Sequence, residues 1–266
     1  MTDAADTQNP SGAPPGASAR KPPELPEVDV AERGAAIEGK PQTMDRRMFM
    51  QLMVFTTAPG ADADHILAEL GARFDAEGID GVLYADVNDP RGIGVLTWSE
   101  DPAHFVLRVR PVLAARDDLE LRPELTMLGR SYSIGYEQNL PYWILERPTE
   151  MAAKEDCDWA VWYPLRRNGD FAKLSPRERG PILAEHAMIG RAYGEKGLGH
   201  DIRLACHGLD ANDNEFVIGL VGSRLHPLSH LVQTMRSTQQ TSTYISQMGP
   251  FFVGYVKWRR RAKKSA

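Results

Sequence analysis

The sequence predicts an α+β fold made of two tandem ferredoxin-like β-α-β-β-α-β units, of the dimeric α/β-barrel type. Three observations predict it. Strand-like and helix-like hydrophobic spacings follow one another in the same order twice along the chain. The segments RGIGVLTWSEDPAHFVLRVRPVL and NEFVIGLVGSRLHPLSHLVQTMR run in parallel: each has a strand, a short turn, a Pro near a helix start, a histidine and a late Arg. The main helix of the second half also carries a complete start signal. How the two sheets meet in space does not follow from the pattern.

The first unit, residues 46–145, opens with a strand over Met48–Thr56. An amphipathic helix follows over about Ala61–Glu77, with Ile66, Leu67, Leu70 and Phe74 on one face. Two strands come next, Gly81–Val87 and Ile93–Trp98. Asp101-Pro102 begins a helix near Ala103–Ala115, because Pro suits the first helical turn. A strand near Tyr132–Tyr136 closes the unit.

The second unit, residues 146–258, repeats the order. Trp159–Leu165 is a strand. Ser175-Pro176-Arg177-Glu178 starts a helix running to about Tyr193, with Ser175 as N-cap, Glu178 completing a capping box and Pro at the first helical position. Strands over Asp201–Gly208 and Glu215–Val221 are joined by the turn Leu209–Asn214. A helix over about Pro227–Gln247 and the strand Phe251–Lys257 complete the set.

Outside these units the chain reads differently. Residues 1–43 carry Pro, Gly, Ala and acidic residues with few large apolar side chains, too little to offset the entropy of ordering, so they read as a disordered arm. Arg46-Arg47-Met48-Phe49-Met50 has the look of a twin-arginine export signal, but it stands far from the start and FMQLMVF is better read as a strand. Residues 259–266 read as a solvated basic tail. The 266 residues are 42% hydrophobic, enough for a sizeable core, and the net charge of −5 gives no case for nucleic acid as the main partner. Cys157 and Cys206 are the only cysteines, which excludes a disulfide framework and C-x-x-C metal spacing and makes a reducing, cytoplasmic setting the expectation. No apolar run is long enough to span a membrane.

The residues that carry chemistry lie in WAVWYPLRRNGDFAKLSPRERGPILAEHAMIGRAY, residues 159–193. A strand ends in Tyr163-Pro164-Leu165. A basic turn follows, then a helix with one central histidine, His186, on the stripe Ile182, Leu183, His186, Ile189 and Gly190. On pattern alone a lone histidine on an apolar face is more often a satisfied core residue. A rigid element presenting a neutral imidazole downstream of a strand-borne phenol is also the layout that a haem site needs. His226 and His230, i and i+4 on one helix, lack a third metal ligand.

Glu178-Arg179, His186, Gly190-Arg191 and Tyr193, read with MRSTQQTSTYISQMGPFFVG, resemble the chlorite dismutase family, and most of all its coproheme decarboxylase branch. The resemblance spans roughly residues 46–258, with its specific motifs in 159–258. It implies that His186 ligates the iron of haem b or of iron-coproporphyrin, and that Gly190 lets the helix approach a neighbour or the ring. Tyr163-Pro164-Leu165-Arg166-Arg167 is similar to the branch's tyrosine motif. That similarity gives Tyr163 the radical role in peroxide-dependent decarboxylation of two propionates to vinyls. Arg147, Arg167 and Ser242 would hold propionates, Arg147 through its bidentate fork, with Arg166 and Lys173 adding positive field. Phe171 falls at an aromatic position of the family. Gln239 and Gln240 fall where chlorite dismutases carry a glutamate near the histidine, and a neutral amide there would leave the imidazole less anionic.

The distal side departs from the family. Counting forward from His186 gives Gly199, and counting back from Gly208-Leu209-Asp210 gives Asp201, so the distal residue is Gly199, His200 or Asp201, with Arg203 one shift further. His200 is the candidate acid–base for peroxide. The absence of a distal arginine at the counted position argues against chlorite as substrate. The alternatives are a haem b peroxidase or chlorite dismutase-like enzyme, or a non-catalytic haem-binding protein of the same fold. The resemblance also implies a homo-oligomer, commonly a pentamer.

Overall fold

The computed structural model describes residues 24–262. Residues 24–30 belong to a separate unit and have no regular secondary structure; the chain from Ala31 onward forms one compact unit. That unit begins with a hairpin of β1 (Glu32–Ile37) and β2 (Lys40–Met44). The expected disordered arm, 1–43, is therefore corrected over its last third. Polar side chains, taken up below, order it in place of apolar burial. Residues 1–23 lie outside the described residues.

The first half then runs β3 (Phe49–Thr57), α1 (Ala63–Glu77), β4 (Gly81–Asp86), β5 (Gly92–Ser99), a π-helical turn Phe105–Val109 leading into α2 (Arg110–Ala114), β6 (Leu119–Leu121) and β7 (Met127–Arg130). The second half runs α3 (Arg147–Ala152), β8 (Trp159–Arg167), α4 (Gly169–Lys173), α5 (Pro176–Glu195), β9 (His200–Ala205), β10 (Phe216–Gly222), α6 (Leu225–Arg236), a π-helical turn Gln240–Tyr244, β11 (Ile245–Met248) and β12 (Phe252–Arg260). Two boundaries differ from expectation. The strand near 132–136 is β7, closer to the N-terminus, because the chain turns through Gly135 at φ 91°. The expected helix 227–247 stops at Arg236.

Each half forms a four-stranded antiparallel sheet, β7-β3-β5-β4 and β12-β8-β10-β9. The sheets join at both edges. β4 pairs with β12 from Gly81↔Arg260 to Asp86↔Gly254, and β7 meets β9 at Arg130↔Ala205. The result is a closed barrel within one chain, which leaves no open edge between the halves. Strand alternation sends Met50, Leu52, Leu96, Trp162, Ile202, Leu204 and Phe252 into its interior. Trp162 is fully buried, and Gly219 on β10 makes room for it: a Cβ at Gly219 would sit 2.6 Å from the indole ring. Gly219→Ala is expected to cost about 1–3 kcal/mol by overpacking, read as a lower urea midpoint.

The outer faces of the two sheets are covered differently. On the first half α1 buries Ile66, Leu67, Leu70, Gly71 and Phe74 against Leu83, Ile93 and Val95. On the second half α5 has 20 residues and buries only Ile182. Its start is well built, with Ser175 accepting from the Glu178 amide and the Glu178 carboxylate accepting from the Ser175 amide; such a cap contributes about 1 kcal/mol. The helix is thus well formed but lightly seated. The basic end is tied down, not solvated: Arg259 pairs with Asp158, Arg260 with Asp80 at 3.2 Å, and Arg261 donates to Thr149 at 3.0 Å. Residues 263–266 of that tail lie outside the described residues. No helix among the described residues is long and apolar enough to cross a membrane.

Candidate functional site

The lightly covered outer face of the second sheet is where most of the singled-out residues meet. Cross-strand register sets the rows. Tyr163 of β8 stands beside Ile218 of β10, and Ile218 beside Arg203 of β9; Val161, Leu220 and Asp201 form the next row. Tyr163 is 5% exposed, stacked on Phe251 with ring centroids 4.6 Å apart. Burial pushes its phenol well above the usual range; the Asp201 carboxylate adds to this and Arg236 opposes it.

His186 comes down on this face from α5, in the stripe Arg179, Ile182, His186, Ile189 and Tyr193. It is half-buried, and its Nδ1 is buried without a hydrogen-bond partner. Burial lowers the imidazole pKa, Arg203 lowers it further, and Asp201 and Glu185 oppose. A neutral imidazole with an orphaned ring nitrogen is costly to leave unmatched, about 1–3 kcal/mol, and is suited to metal ligation through the other nitrogen. The expected apolar stripe is only partly so: Leu183 is 42% exposed and points away. Gly190 is met by Met235 at 3.7 Å, ordinary contact, so close approach to α6 does not require a glycine there. Gln240 lies on the turn after α6, whose Gln239 amide donates to Glu185 of α5 at 2.9 Å; the Gln240 Oε1 is a second buried, unpartnered polar atom.

Opposite His186 stands a charged cluster. Arg147, at the start of α3, donates to the Asp201 carbonyl and carboxylate, both at 2.8 Å, and lies 4.6 Å from the Trp143 ring. Arg203 pairs with the same carboxylate at 3.0 Å. Burial works to raise the Asp201 carboxyl, but Arg203 and Arg147 outweigh it and hold it below the usual range. A depressed carboxyl stabilises the fold above its unfolded value, and that stability is lost as pH falls through the folded value. Asp201→Asn is therefore expected to cost about 1–2 kcal/mol at neutral pH, discounted for partial exposure, and to weaken the loss of stability below about pH 4. Urea unfolding at pH 7 and pH 3 checks this.

The other expected residues divide. Arg167 shares the face of Tyr163, but Glu215 accepts from its Nε at 2.9 Å and it lies over the rings of Phe171 and Phe216 at 4.3 and 4.7 Å. Arg166 points to the opposite pleat face and donates to Gln247 at 2.7 Å, and Lys173 pairs with Asp170, so the expected basic cluster is locally neutralised. Ser242 is exposed and donates to the Thr238 carbonyl at 2.8 Å. His200 does not join the site. Its cross-strand partner is Val221, on the barrel-interior side, and its lowered pKa comes from burial and from Lys154 and Arg147. Gly199 packs on Leu228 and offers no functional group. Of the distal candidates only Asp201 faces His186, and Arg203, set aside by linear counting, faces it too. The spacing Asp201, Arg203 on an otherwise apolar strand was the available signal. Tyr132 was missed: it lies 5.5 Å from the Phe216 ring, within the field of Arg203 and Arg167.

Cavities elsewhere do not compete. One of about 340 Å³ is lined by Met48, Trp98, Leu145 and Arg261, another of about 450 Å³ by Asp62, Asp86, Tyr255 and Lys257. No group of three or more His, Cys, Asp or Glu among the described residues could hold a metal ion by itself, so protein side chains alone do not form a metal centre there.

Residues 131–257 match the family model described as chlorite dismutase. The chain is 23% identical over 223 residues to a coproheme decarboxylase of Mycolicibacterium smegmatis, covering 77% of this chain and 88% of that protein. Among solved structures it is similar to a haem-binding protein of Thermus thermophilus, with TM-score 0.63 at 18% identity over 79% of this chain and 91% of that one. A chlorite dismutase variant of Candidatus Nitrospira defluvii in complex with cyanide superposes with TM-score 0.61 at 13% identity, over 80% and 92% of the two chains. At these identities the structural likeness establishes the fold.

Proposed function

We propose that this chain, whose residues 131–257 match the chlorite dismutase family model, is an iron-porphyrin enzyme that decarboxylates iron-coproporphyrin with peroxide. The observation that carries this reading is His186: a neutral imidazole with an orphaned buried nitrogen, on a helix lightly seated over a sheet face that holds Tyr163. The relative in Mycolicibacterium smegmatis is named for the same activity.

In this reading His186 would hold the iron through Nε2. Gln240, whose carbonyl oxygen also lacks a partner, would then accept from the Nδ1 N–H and fix the ring. A neutral amide in that role leaves the imidazole less anionic than a carboxylate would. The bound iron porphyrin supplies the redox chemistry with peroxide. Tyr163 is the relay: its phenol keeps its proton at working pH, so it gives up proton and electron together and recovers both from the propionate side. Each propionate would end as a vinyl group and carbon dioxide, losing two electrons and a proton; one peroxide would take up both electrons, that proton and one more from solvent, and become two waters. Phe251 holds the Tyr163 ring, and the Arg147–Asp201–Arg203 cluster lends net positive charge to the anionic ligand.

One observation favours a second reading, a haem b oxidoreductase or a non-catalytic haem carrier. Arg147, Arg167 and Ser242, the implied propionate holders, all commit hydrogen bonds to the protein itself. A ring with two propionates asks less of them than one with four. The experiment is a titration of the full chain with ferric iron-coproporphyrin and, separately, with haem b, followed by peroxide and the mass of the products. Loss of two carboxyl groups supports the decarboxylase. Binding without decarboxylated product moves the assignment to the second reading, and absence of binding to either porphyrin overturns both.

A further inference from the structure

We propose that Glu32 of the N-terminal hairpin is a positioning residue that holds Tyr132 across the Arg203 side of the site, so that the hairpin controls ligand entry and exit. The proposal rests on the porphyrin reading for what enters, and on hairpin geometry for the rest.

Glu32 has a side chain 12% exposed and four partners. Arg47 and Arg130 reach its Oε1 at 3.1 and 3.2 Å, and the Ser133 amide and hydroxyl both donate to its Oε2, at 2.9 and 3.1 Å. Ser131, on the other side of Tyr132, exchanges two hydrogen bonds with Met48: its amide donates to the Met48 carbonyl and its Oγ accepts from the Met48 amide. Tyr132 is thus bracketed. The barrel holds one neighbour through β3's lead-in, and the hairpin holds the other through the Glu32 carboxylate.

The rest of the connection is tied to the same hairpin. The Gln42 amide nitrogen donates to the Glu137 and Gln138 carbonyls and its oxygen accepts from the Leu140 amide; the Ala35 amide donates to the Glu137 carbonyl at 3.0 Å. Glu137 closes the loop on itself by accepting from the amides of Ile134 and Gly135. Segment 131–141 buries Leu140 beside Ile144, Leu145 and the hairpin's own Met44. Most of its other ties are charged and amide hydrogen bonds to the same two-stranded hairpin, so loosening the hairpin loosens the segment as a unit. The Tyr132 ring faces inward, tilted on Phe216, within the field of Arg203, Arg167 and Asp201.

The test uses the full chain with Glu32→Ala, Gln42→Ala and Tyr132→Ala, two readouts each. In ligand-free protein, amide hydrogen exchange over 131–141 is expected to quicken about 10- to 100-fold in Glu32→Ala and Gln42→Ala, the scale of lost charged or buried hydrogen bonds, with β8 and β10 unchanged. With ferric iron-coproporphyrin, association and dissociation rates are both expected to rise about 5-fold or more in all three variants while their ratio changes little, since a gate alters both rates and a binding residue alters mainly dissociation. Unchanged exchange over 131–141 overturns the positioning role. Quickened exchange with unchanged rates, or a change in dissociation alone, overturns the gate. A wild-type chain that binds no porphyrin overturns the functional reading, and the exchange measurement then still decides the role of Glu32. Should Glu32→Ala fail to fold, Glu32→Gln, which removes the charge that Arg47 and Arg130 meet, carries both readouts.

Discussion

Replacing His186 by alanine is expected to abolish axial ligation and lower affinity for ferric porphyrin by at least about 100-fold, since partners that merely support a ligating imidazole are worth 10- to 100-fold. The absorption band of the bound porphyrin should shift, and free imidazole should restore it. The variant should fold as well as the parent. His186 is half-buried with Nδ1 unpartnered, so its removal relieves a cost of about 1–3 kcal/mol and loses modest packing. A residue whose loss ruins binding and leaves ligand-free stability level or higher is kept for binding. The pH dependence has a definite sign. Because burial holds the His186 pKa below its ordinary 6.5, the unfolded chain protonates first as pH falls. Ligand-free stability then declines below about pH 6.5, and His186→Ala should flatten that decline. Ligation needs the neutral ring, so it should be insensitive to pH above that point. Unfolding curves and porphyrin titrations between about pH 5 and 8 check both.

Much of the fold was legible because each half repeats one order of periodicities, and local patterning fixes strands such as Phe49–Thr57 and helices such as Ala63–Glu77. The closure of the barrel was not. It depends on edge pairing between residues far apart in sequence, and at β7–β9 on one residue pair, Arg130↔Ala205, which leaves no local mark. The long C-terminal helix failed for a readable reason. Ser237, Thr238 and Ser242 turn their hydroxyls onto the carbonyls of Thr234, Met235 and Thr238, and such side chains compete with the helix. The hairpin at 32–44 carries little apolar surface to mark it in the sequence, and Glu32 and Gln42 supply its order with polar bonds.

The candidate site was legible where one element carries the signal. His186 on its helix and Tyr163 on its strand converge on one sheet face. The opposite wall was not, because counting along β9 cannot tell its two faces apart when the loop before it differs in length. Register tells them apart: Asp201 and Arg203 sit beside Leu220 and Ile218, and His200 beside Val221. Strand alternation thus turns His200 away from the candidate site face, and the charged wall there is Asp201 and Arg203, either side of Ile202, joined by Arg147.

Tyr163→Phe is expected to leave binding intact and to remove decarboxylation. The substitution keeps the ring that stacks on Phe251 at 4.6 Å and deletes only the hydroxyl, so porphyrin affinity should stay within about threefold and stability within about 1 kcal/mol. The chemistry should collapse, with product formation falling by about a thousandfold or more, because phenylalanine has no O–H to break. Tyr132, in the field of Arg203 and Arg167, is a rival phenol, and Tyr132→Phe is the control. The raised pKa of Tyr163 matters here. A phenol held fully protonated by burial and by the Asp201 carboxylate loses its electron only if its proton leaves in the same event, so activity should not rise with pH in the range where an ordinary phenol begins to ionise, near about pH 10. Asp201 favours the protonated phenol, so Asp201→Asn should make Tyr163 easier to ionise, which a spectroscopic titration of the ligand-free protein would read. Product masses after peroxide then separate the possibilities. Intact tetracarboxylate from Tyr163→Phe alone assigns the relay to Tyr163. Full conversion by that variant removes Tyr163 from the mechanism and leaves the His186 site to another redox chemistry. Equal loss in Tyr132→Phe would make the two phenols one relay.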